Sequence, residues 1–166
     1  MYFFTTTAKD WQNLFEDNEI KVILIESMEW LVVNKKAQIH AFVIMPNHIH
    51  LLWTPLDETY DISASFKSFT ATMIRKFLVN HNKLKLNLYI STQNDREYQF
   101  WKRRSKSIEM QNRIIAAQKV EYIHNNPLQE KWKLVEKPED YVYSSASYYL
   151  SDKSPFYFLT RYEDWI

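Results

Sequence analysis

Apolar and polar positions are patterned most clearly in the run IHAFVIMPNHIHLLW, Ile39–Trp53, which is apolar on both sides of a Pro46–Asn47 interruption. The pattern predicts a strand over Gln38–Met45, a tight turn, and a second strand over His48–Thr54 that Pro55 ends. Side chains two apart on a strand share a face and lie about 7 Å apart along the chain. His48 and His50 therefore project together, and Ile49 and Leu51 project the other way. Upstream, the β-branched and aromatic segment Tyr2–Thr7 predicts a first strand. Glu19–Val33 places Ile20, Ile23, Leu24, Met28 and Leu31 at helical spacing, and Asn34-Lys35-Lys36 closes it. Asp61 or Ser63 can cap a long helix running to about Asn80, with Ile62, Phe66, Phe69, Met73, Ile74 and Phe77 on its apolar side. Leu88–Thr92 and Gln99–Arg104 read as strands or extended loop. Gln111–Asn125 is a further helix, stopped by Pro127.

The predicted order is β-α-β-β-α-β-α. Its first six elements give an α+β fold: a ferredoxin-like, split βαβ antiparallel sheet with helices on one face. At 166 residues the chain suits one domain, with a core over about 2–126 and a carboxyl-terminal tail over 127–166.

Composition narrows the chemistry. There is no Cys, hence no disulfide framework and no thiolate nucleophile. There is no Gly either, which argues against P-loop and dinucleotide-binding enzymes. Aromatic residues at 16% mark a folded chain. No apolar run approaches the ~18 residues of a membrane span, and the segment MYFFTTTAKDW lacks a basic leader, so a soluble cytoplasmic protein without membrane contact is expected. Net charge is only +1, but Ile62–Lys106 carries +8 and the remainder −7. That asymmetry points to a polyanion-binding zone.

Two imidazoles on one rigid surface make half of a metal site. The helix ending at Pro127 supplies complementary groups. Tyr122 and Asn126 are four apart and share one face with Ile115 and Lys119. Ala116, Val120 and Ile123 fall on the other side and can pack on the sheet.

Taken together, HAFVIMPNHIHLLW resembles the histidine-hydrophobic-histidine motif of HUH endonucleases. YIHNNP followed by PEDYVYSSA resembles the catalytic-helix region of single-tyrosine HUH transposases, most of all the REP-associated tyrosine transposases, relatives of the enzymes of the smallest insertion sequences. The likeness runs from Tyr2 to about Tyr149. It implies that His48 and His50 are metal ligands, that Asn126 is the third, and that Tyr122 is the nucleophile. It further implies Mg²⁺ or Mn²⁺ as cofactor and cleavage of single-stranded DNA, at hairpin-associated sites, through a 5′-phosphotyrosine. Lys119 is a candidate to contact the phosphate or orient Tyr122. His124, whose simplest role is structural, is a second candidate to assist Tyr122. The chain departs from many relatives just after Asn-Pro, where Leu128-Gln129-Glu130-Lys131-Trp132 replaces a basic residue and a Gly.

A single-stranded or hairpin DNA partner fits the basic zone. Lys102, Arg103, Arg104 and Lys106 beside Trp101 interleave charge with a stacking surface, and the long helix offers Lys67, Ser68, Arg75 and Lys76 for backbone contacts. The expected setting is the bacterial cytoplasm, close to the nucleoid, as a monomer or homodimer. Two rivals predict different behaviour. A domesticated hairpin-DNA-binding protein of the same fold would bind with little cleavage. An unrelated metal-dependent hydrolase would keep its activity without Tyr122 and form no adduct.

Overall fold

The computed structural model describes residues 1–151 and 154–165. Strand β1 (Tyr2–Thr7) leads to helix α1 (Asn18–Val33), then to the hairpin of β2 (Ala37–Ile44) and β3 (His48–Pro55). Helix α2 (Ile62–His81) and a short α3 (Lys83–Asn87) follow, then β4 (Lys106–Glu109), α4 (Arg113–Asn125) and α5 (Ala146–Leu150). The strands form one sheet in the order β2-β3-β1-β4, and every pairing is antiparallel. This is the α+β, split βαβ arrangement expected from the sequence.

Local chemistry sets the helix starts. The Asp17 carboxylate accepts from Glu19 N at 3.0 Å, Asp61 Oδ1 from Ala64 N at 2.9 Å, and Asn112 Oδ1 from Ile115 N at 3.0 Å. Each side chain satisfies a donor that the first helical turn leaves free.

The sheet has two buried faces. On one, Phe4, Ile49, Leu51 and Trp53 pack with Leu24, Met28 and Leu31 of α1 and Phe66, Ile74 and Leu78 of α2. On the other, Phe3, Val43 and Leu52 pack with Ala116, Val120 and Ile123 of α4. Between Ile39 and Ala41 the β2–β3 register shifts. The bulge sits at His40, whose ring is within hydrogen-bonding distance of Thr160 O (3.1 Å) and Thr54 Oγ1 (2.9 Å).

The fourth strand corrects the sequence reading. It lies at Lys106–Glu109, whereas Leu88–Thr92 and Gln99–Arg104 contribute only isolated bridges, Ile90 to Tyr98 and Ala8 to Trp101. β4 pairs with β1 alone, and its four residues KSIE are exposed apart from a half-buried Ile108. A short charged edge strand carries no apolar alternation to find, and such edges resist edge-to-edge association.

Ile123 is fully buried where α4 meets the sheet. Ile123→Ala should cost about 2–5 kcal/mol, read as a lower urea midpoint with an unchanged slope. No shift in midpoint would contradict the packing of α4.

Candidate active site

His48 and His50 leave β3 on the face covered by α4, because Ile49, Leu51 and Trp53 take the α1/α2 face. Both histidines are buried, at 9% and 5% exposure, and Asn126 is buried at 1%. The two imidazole centroids are 4.8 Å apart.

Each imidazole is oriented from behind. The Asn47 amide donates through Nδ2 to Trp11 O at 3.2 Å, which turns Oδ1 toward His48 Nδ1 at 2.7 Å. An amide oxygen can only accept. The His48 proton is therefore on Nδ1, and Nε2 presents a lone pair. His50 Nδ1 pairs with Thr5 Oγ1 at 2.7 Å, one strand over in the register. His50 Nε2 has no partner, and neither has Asn126 Nδ2; these are the two buried unpaired side-chain polar atoms found among the described residues. Buried polar groups are almost always satisfied, so two such atoms on side chains that flank His48 suit a ligand.

Burial dominates the electrostatics. It pushes His48 down to about 4, opposed by the neighbouring Asn126 side chain and helped by the Lys131 charge. It pushes His50 down to about 3, assisted by His48 and Lys119. Both rings are thus neutral at pH 7, the form that ligates metals. The donor set fits a divalent cation: two imidazole Nε2 atoms, and an amide that a half-turn converts from Nδ2 to Oδ1 at the same point. Among the described residues no cluster of three or more His, Cys, Asp or Glu forms a metal site, so the amide is the third group available.

Tyr122 is 43% exposed, and its ring centroid lies 5.2 Å from that of His50. Phe3 links the assembly. It stacks on His50 at 5.4 Å, meets Tyr122 edge-on at 6.0 Å, and takes Lys119 Nζ over its face at 5.1 Å. Lys119 Nζ is also 5.8 Å from the Tyr122 ring centroid. One chain thus brings His48, His50, Asn126, Tyr122 and Lys119 together. Sequence reading missed Phe3, Thr5 and Asn47. Their signals, a register partner and the residue before a His, become visible only once β1 is paired with β3.

Family comparison gives this constellation a context. The family model described as "Transposase IS200 like" matches residues 1–126. The chain belongs to the IS200-like transposase family. Among solved structures, this IS200-like transposase is similar to a REP-associated tyrosine transposase bound to a REP hairpin, with a TM-score of 0.61, 20% identity, and coverage of 87% of this chain and 75% of that one. A provisionally assigned transposase from Deinococcus radiodurans R1 aligns with a TM-score of 0.47 and 18% identity, over 75% of this chain and 89% of that one. No curated protein matches the sequence.

Other candidates are placed differently. His124 is buried, with Nε2 2.9 Å from Ser145 Oγ and its ring 5.2 Å from Tyr149; it anchors the tail to α4. Trp101 is 5% exposed, and its Nε1 donates to Thr70 Oγ1 at 3.0 Å. It packs on Phe15 and Phe66, so its faces are closed to a base, which corrects its reading as a stacking surface. Lys67 Nζ donates to Lys102 O at 3.0 Å, Arg103 O at 3.3 Å and Ser105 Oγ at 2.9 Å; its charge shapes the 102–105 loop. Arg75 is paired with Glu97 at 2.8 Å. Ser68, Lys76, Lys102, Arg103, Arg104 and Lys106 are exposed.

Two outcomes are expected. Histidines held below the unfolded value of about 6.5 add stability that is complete above that pH. It is lost as pH falls through the folded values, about 4 for His48 and His124 and about 3 for His50. Melting temperature should therefore drop between about pH 6.5 and about pH 4; a flat profile contradicts buried neutral rings. Trp101→Ala should cost about 3–5 kcal/mol in urea unfolding, whereas a surface stacking residue would cost little.

Proposed function

We propose that this protein is a metal-dependent single-stranded DNA endonuclease and strand transferase that works through a 5′-phosphotyrosine on Tyr122. The carrying observation is the pair of unpartnered buried atoms, His50 Nε2 and Asn126 Nδ2, directly beside a half-exposed tyrosine 5.2 Å from His50. Such unpaired buried atoms are uncommon where side chains serve packing alone.

His48, His50 and Asn126 would hold Mg²⁺ or Mn²⁺; mixed nitrogen and oxygen donors together with a phosphate suit these ions. When bound, the cation supplies charge neutralisation at the scissile phosphate and at the leaving oxygen. The chain's own groups do the rest. Asn47 holds the His48 imidazole in one tautomer, and Thr5 orients the His50 ring through its Nδ1. The Tyr122 oxygen forms the new bond to phosphorus in line with the departing 3′ oxygen, and the proton balance closes when the phenol loses its proton and the 3′ hydroxyl gains one. Lys119 Nζ, 5.8 Å from the Tyr122 ring centroid, offers a positive charge beside the phosphate that the tyrosine would attack. The phosphotyrosine conserves the broken bond, so a later 3′ hydroxyl can reverse the step and join strands without a nucleotide cofactor. That is in keeping with a chain that has no Gly for a phosphate loop.

Hairpin DNA is the favoured substrate, because the similar fold named above was solved on a REP hairpin and because the exposed cations Lys102, Arg103, Arg104, Lys106 and Lys76 suit phosphate contacts.

The test uses end-labelled hairpin DNAs with randomised single-stranded flanks, incubated with Mg²⁺ or Mn²⁺. A detergent-stable protein–DNA species should form. It should vanish in Tyr122→Phe and with EDTA, and fall by at least about 10²-fold in His48→Ala, the scale of losing a catalytic group. An adduct that persists in Tyr122→Phe removes Tyr122 as nucleophile.

A further inference from the structure

We infer that Trp11, braced by Lys102, is a stacking platform for an unpaired base of the DNA strand next to the scissile phosphate. The inference rests on the DNA-cleaving function proposed above and assigns it a base-binding subsite.

Trp11 is 56% exposed, unlike the buried Phe100 and Trp101. Lys102 Nζ sits 5.2 Å from its ring centroid, which fixes one face and leaves a cation beside the ring. Backbone geometry supports a functional placement. Asp10 and Trp11 are consecutive left-handed residues, at φ 52° and φ 58°. For a bulky residue such as Trp this is a genuine outlier, and backbone outliers of this kind gather at ligand sites. The surroundings hold the strained turn in place: Ala8 N donates to Asn47 O at 2.8 Å, Lys9 N to Phe100 O at 2.7 Å, and Lys102 N to Thr7 O at 2.7 Å.

The same turn reaches the candidate metal ligands. Trp11 O accepts from Asn47 Nδ2, and Asn47 Oδ1 accepts from His48 Nδ1. A single side chain, Asn47, thus links the Trp11 backbone to His48. Beside the ring is a cleft of about 180 Å³ lined by Lys9, Asp10, Trp11, Gln99 and Lys102. Lys9 is occupied by Ile90 O at 2.7 Å and lies 3.9 Å from the exposed Asp10 carboxylate, so the cation set against the ring is Lys102. An exposed aromatic ring with a lysine against it suits a single strand, with base on ring and a phosphate on the lysine. A duplex keeps its bases stacked on each other and offers no free face.

The experiment is fluorescence anisotropy with a randomised single-stranded oligodeoxynucleotide, alongside melting temperature and adduct formation. Trp11→Ala and Trp11→Gly should weaken binding by about 5- to 150-fold, the range for one stacked base, while Trp11→Phe retains most of the affinity. Trp11→Gly should not lower the melting temperature, because glycine occupies positive φ freely and the backbone oxygen that holds Asn47 remains. Wild-type affinity in Trp11→Ala and Trp11→Gly overturns the platform, as does a loss in Trp11→Phe equal to that in Trp11→Ala. If the wild-type protein forms the adduct while Trp11→Ala binds normally, the platform alone fails. If the wild-type protein binds the strand through Trp11 but forms no adduct, the cleavage function fails and the platform stands. If the wild-type protein does not bind the strand, both are overturned.

Discussion

The site depends on the two-residue alternation of β3. Ile49, Leu51 and Trp53 are committed to the core under α1 and α2, so His48 and His50 must face α4. A slip of one residue would turn both imidazoles into the aliphatic core under α1 and α2 and carry Ile49 and Leu51 to the α4 face. The register is held from both sides, since β3 pairs with β1 and with β2. A central strand cannot fray the way an edge can, and that rigidity is what a ligand pair needs.

Burial then sets the chemical state. Two imidazoles in water would be partly protonated near pH 6.5; between the sheet and α4 they are held neutral. Neutrality alone does not make a ligand, because a neutral imidazole still carries one proton. Asn47 Oδ1 takes that proton on the Nδ1 side of His48, and Thr5 Oγ1 pairs with His50 Nδ1, a second layer of the kind that orients metal-bound histidines. The helix contributes the remaining groups by its own geometry. Val120 and Ile123 pin α4 to the sheet, and the four-residue spacing places Tyr122 and Asn126 on the stripe above the histidines. Candidate nucleophile, candidate ligands and flanking cation are thus assembled within one chain.

Most of this was legible in the sequence because it rests on periodicity. The alternation over Ile39–Trp53 and the i, i+4 pair in α4 are local signals, and both survive into the structure. What escaped was non-local. β4 is polar and pairs on one side only, so it has no hydrophobic signature. Trp101 lies in a basic stretch and reads as a surface residue, yet it is drawn into the core by Phe15, Phe66 and a hydrogen bond to Thr70. Lys67 reads as a free helix cation, but three oxygen acceptors from a loop 35 residues or more away occupy it. Trp11 sits in an unremarkable segment, and its exposure depends on a left-handed turn in a chain with no glycine to announce one. Phe3, Thr5 and Asn47 gain their roles only through strand pairing and turn closure.

The central claim is that chemistry passes through the Tyr122 oxygen, and mass spectrometry of the trapped intermediate tests it most directly. Cleavage after Lys119 and after Lys131 releases Val120–Lys131, a peptide in which Tyr122 is the sole tyrosine. After nuclease trimming of the bound strand, that peptide should carry the mass of a deoxynucleoside monophosphate, with fragmentation placing it on Tyr122. A nucleotide on any other of the eleven tyrosines, or cleaved DNA with no modified peptide, contradicts the account.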